Sequence, residues 1–257
     1  MTEVTPPADR SARRPGRHDV LEHHLPEADR RLVRTVDGFA DADWTAPSGL
    51  PGWTRAHVVA HLALNAEGLA GALRGVVAGE PVPMYRTPEA RDDDIAALAA
   101  AGPAELRSRL LASGPVFAEA AAAVPDDADG VVLERTPGDR RFRVGDVAWM
   151  RWREVEIHHA DLAAGYGPRD WSPAFAAHLL DAMAGRGATD APLTARASDR
   201  DAAWTSAGAA RSPPARADDP APVVTGTAAA LAWWVTGRGT GEGLTSEGGE
   251  LPRIGAW

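Results

Sequence analysis

Residues 143–162, RVGDVAWMRWREVEIHHADL, and residues 52–69, GWTRAHVVAHLALNAEGL, are the two stretches on which the fold turns. Both have helical periodicity, and both carry polar residues where a helix would bury them. On a helix turning about 100° per residue, Thr54, His57, Val58, His61, Leu64, Asn65 and Gly68 share one face. In the other stretch Glu154 and His158, four apart, share a face with Val147, Met150, Ile157 and Asp161, while Glu156 and His159 point roughly the opposite way. An imidazole or carboxylate on an inward face carries a desolvation penalty unless it is paired or coordinates a metal.

A helical bundle can gather such residues from facing helices into one site. Two histidines and one carboxylate suit zinc, with the fourth position open to water or substrate, and they also suit a non-haem iron. The same residues have plainer readings. A Glu/His pair at i, i+4 is common on helix surfaces, and His57 and His61 could be capping or hydrogen-bonded core histidines. Spacing alone leaves these alternatives open.

Outward from the two segments, helical patterning dominates the first 185 residues. Leu21, Leu25, Ala28, Leu32 and Val36 predict a helix over 20–38, unless Pro26 marks its true start. Asp41 to Pro51 is turn chemistry, and Thr54 reads as the N-cap of a long helix reaching Val77. Helical pattern resumes near Pro88, breaks at Gly102-Pro103 and continues to Val124. Residues 131–144 predict a hairpin around Pro137-Gly138-Asp139. A helix follows over 145–164, and Ser172-Pro173 opens another to Ala184. Beyond Gly185 the texture changes. Pro192 to Ala197 and Pro222 to Thr225 are strand-like, Thr227 to Thr236 is a short helix, and 239–249 is glycine-rich. The expected class is α+β: a disordered arm over 1–18, an antiparallel four-helix bundle over 19–187, and a small α/β domain over 188–257, too small to stand comfortably alone.

The 257-residue chain has 27 basic and 36 acidic residues, a net charge of −9, which argues against a broad nucleic-acid surface or adhesion to an anionic membrane. It has no cysteine, so disulfides, thiolate zinc sites, iron–sulfur clusters and a cysteine nucleophile are excluded. Every basic residue is arginine, which removes Schiff-base chemistry and a P-loop lysine. Residues 1–18 lack the apolar core of a signal peptide, and no apolar run is long enough to span a bilayer, so a cytoplasmic protein is expected.

Three segments carry a family resemblance. DGFADADWTAPSGLPGWTRAHVVAHLALNAEGL (37–69) resembles the N-terminal domain of mycothiol-dependent maleylpyruvate isomerases, a branch of the DinB-like metal-dependent four-helix bundles. WREVEIHHADLAAGYGP (152–168) resembles the fourth-helix motif of that family, and VVTGTAAALAWWVTGRGTGEGL (223–244) with ELPRIGAW (250–257) resembles its C-terminal domain. The resemblance implies a metal held by His61, Glu154 and His158, with His57 and Asn65 on the substrate or thiol side. Asp161 would orient a ligand histidine, because metal-bound imidazoles usually donate their second N–H to a partner.

The resemblance also implies zinc, or another divalent metal, and mycothiol as cosubstrate. A free thiol titrates near pKa ~8.5 and is mostly protonated at neutral pH, whereas a thiol coordinated to zinc is deprotonated. The family's reaction adds the thiolate to the cis double bond of maleylpyruvate, rotates the new single bond and eliminates the thiol. The same first step without elimination would make a mycothiol S-transferase of detoxification or secondary metabolism. A non-catalytic metal-binding stress module is the alternative of another class. An anionic substrate needs arginine here. Arg238 in the TGR motif is the first candidate; Arg151 and Arg55 come next, though both read better as solvated surface arginines. Trp233, Trp234 and Trp257 read as packing residues. The partners implied are a small electrophile and a low-molecular-weight thiol, with no nucleic acid or membrane, for a monomer or weak dimer.

Overall fold

In the computed structural model, which describes residues 15–185, 192–206, 221–247 and 249–255, the first helix begins ahead of its predicted start. A short α1 (Arg17–Asp19) runs through a π-helical turn (Val20–His24) into α2 (Leu25–Asp37). Proline has no N–H to donate, and its ring collides with the carbonyl four residues back. The widened turn ahead of Pro26 lets the helix pass through it, so Pro26 is not the start. Arg17 is anchored to Asp129 at 2.7 Å, so the last residues of the expected arm are ordered helix. Residues 1–14 lie outside the described residues.

After α3 (Asp41–Thr45), a turn closed by a bridge between Pro47 and Thr54 leads into α4 (Arg55–Val77), which opens where the N-cap reading puts it. Next come α5 (Pro88–Ala100) and α6 (Pro103–Ala122), separated by Gly102 at φ 95°, a left-handed conformation that glycine adopts at little cost. A two-stranded antiparallel hairpin, β1 (Val132–Glu134) with β2 (Arg141–Arg143), pairs Leu133 with Phe142 and leads to α7 (Val147–Asp161).

Helices α2, α4, α6 and α7 form the bundle. Helix α4 packs against α6 and α7, α2 touches those same two helices, and α5 lies on α4. Val58, Val59, Leu62, Ala63 and Ala66 of α4 are fully buried, as are Val155 and Ile157 of α7. Helix α4 is apolar on nearly every side, which suits a central helix rather than a surface one.

Two arginines of this unit are not where solvation would put them. Arg151 is 1% exposed, and its Nη1 donates to the Leu62 carbonyl and to Asn65 Oδ1, both at 2.9 Å. It ties α7 to α4 through the core. Arg55 donates to the carbonyls of Leu162 (2.9 Å) and Ala163 (2.8 Å) and pairs with Asp43 at 2.6 Å. It thereby caps the C-terminal end of α7, where carbonyls lack helical partners and a cation is favoured. A second buried cluster joins α2 and α7. Glu156 accepts from Arg31 Nη2 at 2.7 Å and from the Tyr166 hydroxyl, and His159 stacks on Tyr166 with ring centroids 3.7 Å apart. These residues do face away from Glu154, but into packing rather than solvent.

The C-terminal unit is described by itself. It comprises α8 (Pro173–Ala184), β3 (Leu193–Ala197), β4 (Ala203–Ser206), β5 (Val223–Gly226), α9 (Ala228–Trp234) and β6 (Thr245–Ser246). The sheet order is β4-β3-β5-β6, with β3 and β5 parallel and the outer pairs antiparallel. Strands β4 and β6 are absent from the sequence reading. Helix α8 packs on α9 and β4, and the compact units divide at Gly167/Pro168. This corrects the expected boundary at 187/188: α8 has the apolar face of a bundle helix, but it buries that face in its own sheet layer. Trp234 is buried and Trp233 meets Trp171 edge-on at 5.7 Å, both packing roles, while Trp257 lies outside the described residues. No described helix is long and apolar enough to cross a membrane.

Removing the Arg151 guanidinium would strand buried acceptors on Asn65 and Leu62. Urea denaturation of Arg151→Ala is expected to show a loss on the order of 3 kcal/mol. The exposed Arg30→Ala should stay within about 0.5 kcal/mol of the parent.

Candidate metal centre

Thr54 starts the helix that presents His61. His57 completes the start: its Nδ1 lies 2.8 Å from Thr54 Oγ1 and accepts from the Thr54 amide at 3.3 Å. His57 therefore sits in the cap. One turn on, His61 is 4% exposed and faces α7, where Glu154 and His158 project one turn apart from each other. His61 Nε2 lies 3.0 Å from Glu154 Oε2, and His158 Nε2 lies 3.4 Å from the same oxygen. One ligating atom from each of the three residues falls within 4.8 Å of the others. Among the described residues this is the group of histidines and acids able to hold a metal ion.

The surroundings fix the histidines differently. His158 Nδ1 lies 2.8 Å from Oδ2 of Asp161, which is 1% exposed. That bond puts a proton on Nδ1 and turns the Nε2 lone pair toward the centre, the arrangement expected behind a metal-bound imidazole. Asp161 is itself held: its carbonyl accepts from the Gly49 amide at 2.7 Å, and a side chain at position 49 would press on it at 3.3 Å. His61 has Arg91 Nη2 at 3.2 Å from its Nδ1 and the edge of Trp53 at 5.7 Å.

Burial depresses His61 to a pKa of about 4, outweighing the hydrogen bond it donates to Glu154. Burial would raise Glu154, but its pairing with His158 and His61 holds it well below the usual carboxylate range. Burial would lower His158, yet Asp161 and Glu154 together raise it. A depressed imidazole, a firm carboxylate and an imidazole backed by a second carboxylate make a donor set able to hold a divalent cation. With His158 protonated on Nδ1, its Nε2 and the Glu154 oxygen are acceptors facing one another, and a cation or proton between them relieves the repulsion.

Beyond Arg91 lies a cavity of about 320 Å³ walled by Leu64, Gly68, Met84, Tyr85 and Arg86. Gly68 is a poor helix residue in itself. A side chain there would meet Met84 at 3.1 Å and Tyr85 at 3.3 Å, so glycine is what lets the loop after α4 lie close and form the wall. Asn65 does not face this cavity, because its carbonyl oxygen is engaged by Arg151. Arg91, Tyr85 and Trp53 are the neighbours that sequence reasoning did not find. Arg91 sits in an ARDDD run that reads as a solvated helix face.

The helical unit matches the family model described as the mycothiol maleylpyruvate isomerase N-terminal domain over residues 25–163, and residues 170–256 match the C-terminal domain model of the same family. The chain belongs to the mycothiol-dependent maleylpyruvate isomerase family. Its fold is that of the crystal structure of a mycothiol-dependent maleylpyruvate isomerase, at 28% identity and a TM-score of 0.80, covering 95% of this chain and 100% of that one. A histidine-to-alanine mutant of the mycothiol-dependent maleylpyruvate isomerase is similar at a TM-score of 0.79, with the same identity and coverage. Among curated proteins none matches the chain significantly. The family resemblance, the helical bundle and the small α/β portion expected from sequence all hold.

Metal analysis of purified protein should show near-stoichiometric divalent metal, lost in both His61→Ala and His158→Ala. His159→Ala should retain it, since that ring is occupied by Tyr166 and by Thr35 at 2.8 Å. Asp161→Ala should weaken metal binding by roughly 10- to 100-fold, as removal of such supporting partners usually does.

Proposed function

We propose that this protein is a zinc- and mycothiol-dependent cis–trans isomerase acting on a small anionic alkene of the maleylpyruvate type. The observation that carries the reading is the convergence of His61, Glu154 and His158 to within 4.8 Å in a chain with no cysteine of its own. Held by those three residues, zinc would supply the Lewis acidity that keeps a thiol sulfur as thiolate at neutral pH. The sulfur must then come from a cosubstrate, and the family's is mycothiol.

The chemistry balances without oxidant or reductant. The thiolate adds to the double bond conjugated with a carbonyl, and the electron pair moves to the carbonyl oxygen. Rotation follows about what is now a single bond. The electrons then return, the C–S bond breaks and the thiolate is regenerated. Each of the chain's own residues has a task in this. Asp161 holds the His158 ring in orientation, Arg151 and Asn65 lock the two ligand-bearing helices together, and Trp53 covers one side of His61.

For the substrate's carboxylates we propose Arg238. It stands between Gly237 at φ 74° and Gly239 at φ 67°, and its guanidinium carbon lies 5.7 Å over the Trp233 ring. Two left-handed glycines fix a tight turn, and the aromatic face steadies a planar group able to grip a carboxylate with two hydrogen bonds. Like the rest of this reading, the setting is cytoplasmic, with small molecules as partners.

Purified protein given mycothiol and maleylpyruvate should form fumarylpyruvate, and omission of the thiol should abolish turnover. Conjugation of a generic electrophile with no isomerisation would make it an S-transferase instead. Arg238→Ala should keep its metal and its fold and lose roughly 10- to 100-fold in kcat/KM, with Arg238→Lys recovering only part. Unchanged kinetics in Arg238→Ala would remove that residue from the site.

A further inference from the structure

We infer that Arg91 holds His61 in the tautomer that cannot ligate a metal, so that loading of the centre requires the Arg91–His61 hydrogen bond to break. The inference rests on reading His61, Glu154 and His158 as a metal centre. It concerns the opposite edge of the ring from that centre.

A guanidinium has five N–H donors and no acceptor. Arg91 Nη2 lies 3.2 Å from His61 Nδ1, so that nitrogen must be the bare, accepting one. The ring proton is then on Nε2, where it is donated to Glu154 Oε2 at 3.0 Å. Nε2 is also the atom that faces Glu154 Oε2, the oxygen that His158 Nε2 approaches at 3.4 Å, hence the atom a shared metal would use. Ligation through Nε2 moves the ring proton to Nδ1, and there it meets an N–H of Arg91 head-on. The pairing in the structure and ligation by His61 are mutually exclusive.

His158 makes the contrast. Its Nδ1 faces the Asp161 carboxylate, an acceptor, so it is set for ligation through Nε2. One histidine is backed by the usual acceptor and the other by a donor. Arg91 is not loosely placed. Its Nη1 pairs with Asp92 at 2.6 Å, and its guanidinium carbon lies 5.8 Å from the Tyr85 ring centre. It is therefore a positioning residue, acting on the metal through His61, and its effect is to lower metal affinity.

The test compares metal affinities of chelator-stripped full-length variants for Zn²⁺ and Co²⁺, by competition with a chromogenic chelator. Arg91→Gln replaces the donor by a side chain whose carbonyl can accept from Nδ1–H, and should bind roughly 10-fold more tightly than the parent. Arg91→Leu, which only removes the donor, should fall between. Arg86 lines the same cavity without touching His61, so Arg86→Gln controls for the loss of a nearby positive charge and should stay within about twofold of the parent. Equal or weaker binding by Arg91→Gln, or an equal gain in Arg86→Gln, would overturn the inference. Nitrogen-15 NMR of the stripped parent should show His61 as the Nε2–H tautomer, with Nδ1–H gaining in Arg91→Gln. A stripped parent with His61 already protonated on Nδ1 would also overturn it. Failure of the parent to bind either ion would instead overturn the metal-centre reading, while the NMR comparison still decides the role of Arg91.

Discussion

A half-buried carboxylate held against two buried imidazoles is the constraint around which the helical unit is organised. Glu154, His61 and His158 bring one ligating atom each to within 4.8 Å of the others inside the bundle. Burial of such groups is unfavourable unless charges and hydrogen bonds offset it. The neighbouring features read as the means of offsetting it. Asp161 fixes the His158 ring, the loop around Gly49 holds Asp161, and Arg151 sets a positive charge near Glu154 while bonding α4 to α7.

The outer polar clusters have a different character. Arg55 at the end of α7 and the Arg31–Glu156–Tyr166 group between α2 and α7 are closed networks that join elements distant in sequence. They leave no atoms pointed at a common centre. The distinction between a polar cluster that fastens helices and one that gathers ligands therefore lies in convergence. His158 and His159 are adjacent in the chain, yet one turns to Glu154 and the other stacks on Tyr166.

Helical periodicity was sufficient to place α4 and α7 and to put His61 and the Glu154/His158 pair on inward faces, because a buried helix repeats its pattern over several turns. Spacing could not choose between a metal centre and a surface ion pair, since that depends on which helices face one another. Arg151 and Arg55 were misread because an arginine's burial is set by carbonyls and carboxylates supplied from far along the chain. Arg91 left no trace in the pattern for the same reason: its partner His61 is 30 residues away. Strand β6, at two residues, is too short for alternation to be visible, and β4 (AWTS), though as long as β5, lacks the β-branched run that marks Val223–Thr225. Helix α8 was assigned to the wrong unit because an apolar helix face does not state which layer covers it.

Cobalt(II) substitution tests the central claim most directly. Co²⁺ in a site of two imidazoles, one carboxylate and one open position should give the intense visible absorption of a four- or five-coordinate ion. Addition of mycothiol should then produce a sulfur-to-cobalt charge-transfer band in the near ultraviolet. Both signals are expected in the parent and neither in His158→Ala. Weak bands of a six-coordinate ion, with no new band on adding the thiol, would contradict the claim that this triad is an open metal centre built to hold an external thiolate.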